Sequence, residues 1–301
     1  MPHSLAPWFR ALRAYSFTAS VTPILLGTVL ALETAATIDL TLAAVALLGG
    51  VCLHAGTNLV NDYVDFRRGV DRLGRLGGSG VLTGGLLRPQ DVAREAALAF
   101  AVAVLAGIFL YWHLGWPILV YGALGLAGGF FYTAGPIGYK YRALGEPLVF
   151  LLMGPLAVSG AHFVQVAAFE WSAVLVSLPV GFLVAAILFA NNLRDLEDDT
   201  DSGYHTEASL MGLAAGRWAF AAMLASAYAI LVGLVWAGAV PVAALAALVS
   251  LPLAWHVGRT IYHAPGKGQA HWVGVVEKTA AVHLAFGILF TGGILAGYCW
   301  G

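Results

Sequence analysis

Charge is what this sequence has least of. Of its 301 residues 10% are charged and 60% are hydrophobic, with a mean hydropathy of +0.82, whereas soluble domains carry about 25% charged residues. A chain with so little polar surface cannot cover itself in water, so a soluble globular protein is excluded and the bilayer becomes its main solvent. Cysteine is nearly absent too. Cys52 and Cys299 lie in separate apolar runs, which implies neither a disulfide framework nor a zinc site. With only 15 basic residues against 16 acidic ones, no nucleic acid partner is expected. The first apolar run does not stop after the 7–15 residues of a signal peptide. It continues at spanning length through Pro23 and Gly27, and reads as the first membrane helix.

A spanning helix needs roughly 20 mostly apolar residues. Such segments occur near 17–36, 41–61, 95–113, 117–134, 147–166, 172–192, 217–238, 240–258 and 279–299. The expectation is therefore an all-α, polytopic membrane protein: nine transmembrane helices in a bundle around a central cavity, with the N-terminus cytoplasmic. Lysine and arginine gather on the cytoplasmic side of short loops, and with nine spans all 15 basic residues fall on one face. The long connections, about 62–94, 135–146, 193–216 and 259–278, lie on that same face. Long loops in a compact chain are usually functional, so the working face is expected toward the cytoplasm, in the inner (cytoplasmic) membrane.

Two polar clusters close apolar runs in corresponding places. Asn58, Asn61, Asp62, Asp65, Gly69 and Asp71 end the second span; Asn191, Asn192, Arg194, Asp195 and Asp199 end the sixth, at an offset of 130 residues. This faint repeat divides residues 1–301 into two four-helix halves within a single domain, about 17–134 and 147–258, followed by a final helix at 279–299. An even number of helices per half puts both clusters on the same side, flanking a cavity between the halves. Asp62 and Asp65 are three residues apart, Asp195 and Asp199 four, so each pair shares a helix face and can hold one hard cation. Mg²⁺ prefers oxygen ligands and is usually held by one or two carboxylates together with substrate phosphates. Two such ions facing one another would neutralise a diphosphate, with Arg67, Arg68, Lys140, Arg142 or Arg194 on the remaining oxygens. The carboxylates are expected at a wet surface, where substitution leaves the fold intact.

These residues resemble the UbiA superfamily of intramembrane prenyltransferases, whose members have nine transmembrane helices and the motifs NDxxDxxxD and DxxxD. The matching positions are Asp62 to Asp71 and Asp195 to Asp199. The spacing Asp65-x-x-x-Gly69-x-Asp71 is similar to the menaquinone branch, the 1,4-dihydroxy-2-naphthoate prenyltransferases. So are Gly77-Gly78-Ser79-Gly80-Val81-Leu82, Tyr132-Thr133-Ala134-Gly135-Pro136 and Ala143-Leu144-Gly145-Glu146. One departure stands out: where that branch continues Gly-Lys-x-Thr-Leu, this chain has Gly203-Tyr204-His205-Thr206-Glu207. A fixed cation is missing and a negative charge is added near the expected diphosphate.

The resemblance implies Mg²⁺-dependent transfer of a prenyl group from a polyprenyl diphosphate to an aromatic acceptor, with the tail among lipids. It also implies that the region of Lys140 and Arg142 helps hold diphosphate. Tyr139, in an aromatic cluster with Phe130, Phe131 and Tyr132, is the candidate to stabilise an allylic cation through its ring face. His54, one turn before Asn58, and His162, inside the fifth span, are candidates to meet the acceptor. A transporter is the competing class, since repeats and intramembrane polar groups mark those folds as well. Against it, the carboxylates crowd one surface and avoid the midplane.

Overall fold

A computed structural model describes residues 5–35, 37–71 and 77–300. The expected basic residues Arg72 and Arg75 lie outside them. Among the described residues every regular element is helical, with one isolated bridge between Arg142 and His205. After a short α1 (Ala6–Ala11) come α2 (Ala14–Glu33), α3 (Leu40–Arg68), α4 (Pro89–Leu114), α5 (Pro117–Phe131) and α6 (Gly145–Val166). They are followed by α7 (Trp171–Arg194), the short α8 (Leu196–Asp201), α9 (Glu207–Trp236), α10 (Val242–Tyr262) and α11 (Gln269–Trp300). Eight of these are long and apolar enough to cross a membrane; α5, where the fourth span was expected, is a shorter apolar helix of 15 residues.

Helix boundaries follow local chemistry. Asp39 caps α3, its carboxylate accepting from the backbone N–H groups of Thr41 and Leu42 at 2.9 Å. No proline intervenes before Gly69 ends it, so the helix runs 29 residues and carries Asp62 and Asp65 on its last turns. Arg67 and Arg68 sit there as well, favourable at the negative end of the helix dipole. Helical structure begins at Glu207, ten residues before the expected 217, because Thr206 and Ser209 form a reciprocal capping box; α9 then kinks at Gly212 (φ 69°) before its long apolar part. Pro155, lacking an N–H, coincides with a wider π turn at Leu152–Leu156 inside α6.

Helix α7 is the most enclosed of the spans, and the main core forms on it. Val180, Leu183 and Phe189 pack with Leu26, Phe220 and Phe286 from α2, α9 and α11. Helices α3 and α4 pair with each other but turn broad apolar faces outward, as with Leu105 at 64% exposure. Trp112, Trp116, Trp171, Trp236 and Trp300 are all exposed and all sit at helix ends opposite the two aspartate clusters. Amphipathic rings of this kind mark a membrane–water interface, which places the clusters at the other interface.

Candidate active site

Two connected spaces define the site. A cavity of about 630 Å³ runs between helices α2 to α7 and is lined mostly by apolar and small residues, with His54, Asn58, Tyr132 and Tyr139 among them. At one end lies a polar pocket of about 40 Å³, walled by Asp65 and Asp71 from the first cluster and Asp195, Asp198 and Asp199 from the second. Arg13, Lys140 and Asn191 line both spaces. The two aspartate clusters therefore share one pocket at the mouth of one apolar cavity.

Asp62, Asp65 and Asp195 are not at a wet surface, and Asp199 is half-buried. Asp62 and Asp65 are each 1% exposed and Asp195 is 8% exposed, a correction to the sequence expectation whose cause is ion pairing within the protein. Asp62 accepts from Arg13 Nη2 at 2.7 Å and from the Ser79 hydroxyl. Asp65 accepts from Lys140 Nζ at 2.7 Å, from the Asn61 amide at 3.1 Å and from the Tyr141 hydroxyl. Asp195 is clasped by its neighbour Arg194 at 2.7 Å and by the Asn191 amide at 3.2 Å. Buried charges persist when paired and hydrogen-bonded, and each of these is both. Among the described residues no three His, Cys, Asp or Glu side chains are grouped to hold a metal ion; the protein's own cations occupy the carboxylates.

The pocket nonetheless carries more negative charge than it neutralises. Burial raises the Asp71 carboxyl to about 6, with Asp65 adding to the rise and Arg13 and Lys140 opposing it. Burial likewise raises Asp199 to about 7, opposed by Lys140 and reinforced by Asp195 and Asp65. Clustered oxygen donors that resist ionising together are suited to a hard divalent cation, since Mg²⁺ takes carboxylate oxygens and completes its shell with phosphate. Asp65, Asp71, Asp195 and Asp199 fit that role by donor chemistry.

The loop at 77–80 stitches the clusters together. Ser79 reaches Asp62, its carbonyl accepts from Arg10 at 3.0 Å, and Gly77 lies against Asp195. Gly78 has φ 69°, and a Cβ there would stand 2.5 Å from the Asp71 carboxylate, so only glycine permits this approach. Beyond it, the bridge between Arg142 and His205, with Ala143 N–H donating to His205 at 2.7 Å, joins the two long loops. That junction brings the Tyr204 ring to 4.5 Å from Tyr141. The site thus has a pair of aromatic rings where the resemblance implied lysine, with Arg68 at 4.9 Å and Lys140 at 5.5 Å from the centre of the Tyr141 ring. Glu207 turns away from the pocket: its Oε1 accepts the Glu146 N–H at 3.2 Å, at the first turn of α6, where a helix dipole favours a carboxylate.

Several expected site residues fall elsewhere. Arg67 is exposed and lines neither space, and Arg142 is exposed with its guanidinium on the Pro136 carbonyl. Asn192 is buried and donates to Glu146 at 2.9 Å, on the side of α7 away from Asn191. His162 is 2% exposed and absent from the cavity wall, packed inside α6 because its helix face points to neighbouring helices. Arg194 lines neither space and acts through Asp195. His54 does line the cavity, bonded to Ser20 at 2.8 Å and Ser16 at 3.3 Å. The Tyr139 ring lines it too, with its hydroxyl on the Gly128 carbonyl at 2.8 Å. Sequence reasoning missed Arg13, Ser16, Ser20 and Tyr141 as site residues; their only signal was position, in segments near the motif-bearing ends of the helices.

The family model of UbiA prenyltransferases matches residues 20–296. The chain belongs to this family. It is a prenyltransferase and a multi-pass membrane protein. A 1,4-dihydroxy-2-naphthoate octaprenyltransferase of Bacillus subtilis is 32% identical over 286 residues, covering 95% of this chain and 91% of that protein. Human UbiA prenyltransferase domain-containing protein 1 is 31% identical over 297 residues, covering 96% and 83%. Among solved structures, a UbiA homologue from Aeropyrum pernix K1 aligns with TM-score 0.63 at 17% identity, covering 95% and 98%. A UbiA homologue from Archaeoglobus fulgidus, described as bound to GPP and Mg²⁺, aligns with TM-score 0.61 at 16% identity, covering 95% and 99%. At such identities the structural likeness speaks to the fold.

Proposed function

We propose that this enzyme transfers a polyprenyl group from a polyprenyl diphosphate to an aromatic acceptor, 1,4-dihydroxy-2-naphthoate, in menaquinone synthesis. The observation that carries the reading is the shared pocket: aspartates of two clusters 130 residues apart wall one polar space that opens into one apolar cavity. In this reading nine helices cross the membrane, α5 included, as two four-helix halves and a final helix. The basic residues at the cluster end support a cytoplasmic N-terminus and a site at the cytoplasmic face.

Asp65, Asp71, Asp195 and Asp199 would hold Mg²⁺, two ions by the symmetry of the clusters, while Asp62, expected as a ligand, lines neither space and is held by Arg13 and Ser79 behind them. Bound there, Mg²⁺ supplies Lewis-acid stabilisation of the departing diphosphate. Asn191 completes the polar wall, and Asn61, buried behind it, holds Asp65 and Lys140 in place. Lys140 and Arg13, at the junction of pocket and cavity, are positioned to take diphosphate oxygens as charge develops on them. The bond from prenyl C1 to oxygen breaks, and the electron pair leaves with diphosphate. An acceptor ring carbon then bonds to C1, and the ring loses the group it carried there, a proton or a carboxyl as carbon dioxide.

Tyr139 and Tyr132 line the cavity, where an allylic cation would gain from the quadrupole of a ring that faces it. His54 and Asn58, facing the same cavity, are the polar groups available to an acceptor hydroxyl. The apolar wall keeps out water that would convert the cation to an alcohol. Purified protein incubated with Mg²⁺, several prenyl diphosphates, dihydroxynaphthoate and other phenolic acids tests the proposal by product mass. Prenylated naphthoate with diphosphate release supports it; no covalent product from any pair overturns it. The comparable likeness to the human relative favours one second reading, a different hydroxylated ring as acceptor, and the same assay identifies it.

A further inference from the structure

His54 belongs to a hydrogen-bond chain whose proton directions follow from its partners. It is 7% exposed and lines the large cavity together with Ser16, Ser20 and Asn58. A hydroxyl has one proton to give and two lone pairs to receive with. The Ser16 hydroxyl gives its proton to the Arg13 carbonyl at 2.8 Å and receives from the Asn58 amide at 3.2 Å. Toward His54 Nε2, 3.3 Å away, Ser16 can therefore only accept. That puts the imidazole proton on Nε2 and leaves a lone pair on Nδ1, which accepts from the Ser20 hydroxyl at 2.8 Å.

Ser20 is where this chain meets the cavity. It lines the wall while only 3% exposed, and among the described residues its oxygen makes no hydrogen bond besides the one to His54. Its lone pairs are free to accept from a molecule in the cavity while its own proton points at Nδ1. The place suits the reaction, since His54 lies one helical turn from Asn58 and about two turns, roughly 12 Å, from Asp62. Arg13, whose carbonyl holds Ser16, lines both the cavity and the polar pocket. Among the described residues Arg13 is also the charged group that acts on His54, and it is paired with Asp62 at 2.7 Å. The Phe17 ring packs against the imidazole, with centroids 5.5 Å apart.

We propose that Ser20 and His54 form a proton relay for the aromatic acceptor: the acceptor's hydroxyl gives its proton to Ser20 Oγ as the Ser20 proton passes to His54 Nδ1. The electron pair of the broken O–H bond stays on the acceptor oxygen, which makes the ring carbon that bonds to prenyl C1 more electron-rich. When the ring loses its group and becomes aromatic again, the same oxygen takes the proton back through Ser20, so the relay consumes nothing. Ser20 touches the acceptor, and His54 acts through it. The proposal rests on the hydroxylated aromatic acceptor read above.

The test measures kcat of the full chain in lipid nanodiscs, with Mg²⁺ and octaprenyl diphosphate saturating, for two acceptors: dihydroxynaphthoate and a ring-fluorinated dihydroxynaphthoate whose hydroxyls are more acidic. Ser20→Ala and His54→Gln should each lower kcat for dihydroxynaphthoate by about 10²-fold or more, the scale of general acid–base catalysis. The loss should shrink several-fold with the fluorinated acceptor, because a hydroxyl that ionises more readily depends less on a relay. KM for the donor should stay near that of the unmodified protein. A histidine that only ties α3 to α2 predicts equal losses for both acceptors. Equal losses, or activity within a few-fold of the unmodified protein, overturn the relay, and either variant carries the test if the other does not purify as a single species. An unmodified protein that prenylates neither acceptor sinks the acceptor reading itself, and the relay with it.

Discussion

Replacing Lys140 with methionine takes a charge from a site that has none to spare. Asp65 is 1% exposed, and the Lys140 ammonium lies 2.7 Å from its carboxylate with a second contact to Asn61 at 3.1 Å. Removing one partner of a buried pair costs about 3–5 kcal/mol. The Asn61 amide and the Tyr141 hydroxyl still bond Asp65 in the variant, so the loss should fall near the low end, about 3 kcal/mol. In EDTA, the thermal midpoint of the detergent-solubilised variant should drop by several degrees. Mg²⁺ with inorganic diphosphate offers Asp65 a replacement cation, and a ligand at a hundred times its Kd adds about 2.7 kcal/mol. The deficit should therefore shrink markedly in their presence. A variant as stable as the unmodified protein in EDTA, or a deficit unaffected by Mg²⁺ and diphosphate, would refute the idea that lysine and metal serve the same carboxylate.

Asp195→Asn should lower turnover about 10²-fold or more, the scale of losing a preorganised electrostatic group, measured as product by mass spectrometry; activity within a few-fold of the unmodified protein would contradict its assignment. Asp62→Ala should be poorly stable as well as inactive, because it strands the Arg13 guanidinium, 19% exposed, without its carboxylate; an unchanged thermal midpoint would count against that pairing. Glu207→Gln should stabilise the protein by about 1 kcal/mol, read as a higher thermal midpoint, since an amide can donate to the Glu146 Oε2, which has no other partner, and a lower midpoint would show that the carboxylate at the start of α6 matters more. Tyr204→Lys should not improve kcat/KM for the donor, because Lys140 already stands at Asp65 and the change removes the ring stacked on Tyr141; a clear gain would mean that the site lacks a cation.

Much of the architecture was legible because membrane solvent imposes it: runs of apolar length became helices, and the two clusters ended up at one pocket as their chain positions implied. Boundaries slipped where polar side chains belong to a helix. Thr206, Glu207 and Ser209 read as loop, yet they cap and begin α9, and the connection expected from 62 starts only after Arg68, because α3 carries Asp62 and Asp65 on one helix face as their spacing implied. The burial of those carboxylates was not legible, because it depends on Arg13, Lys140 and Tyr141 arriving from other segments. For the same reason helix periodicity could propose His54 and His162 alike, while only packing decides that one faces the cavity and the other does not. Arg67 and Arg142 carried the right charge in the right loops, but their side chains extend to solvent and to a loop carbonyl.

The central claim is that both aspartate clusters grip a single diphosphate through divalent ions. A structure of the protein with Mn²⁺ and a non-reactive thiolodiphosphate analogue of the donor, read by anomalous scattering, tests it most directly. The expected result is manganese density against the Asp65–Asp71 side and against the Asp195–Asp199 side, with one diphosphate between them. Diphosphate bound to one cluster alone, or manganese away from both, would contradict the account.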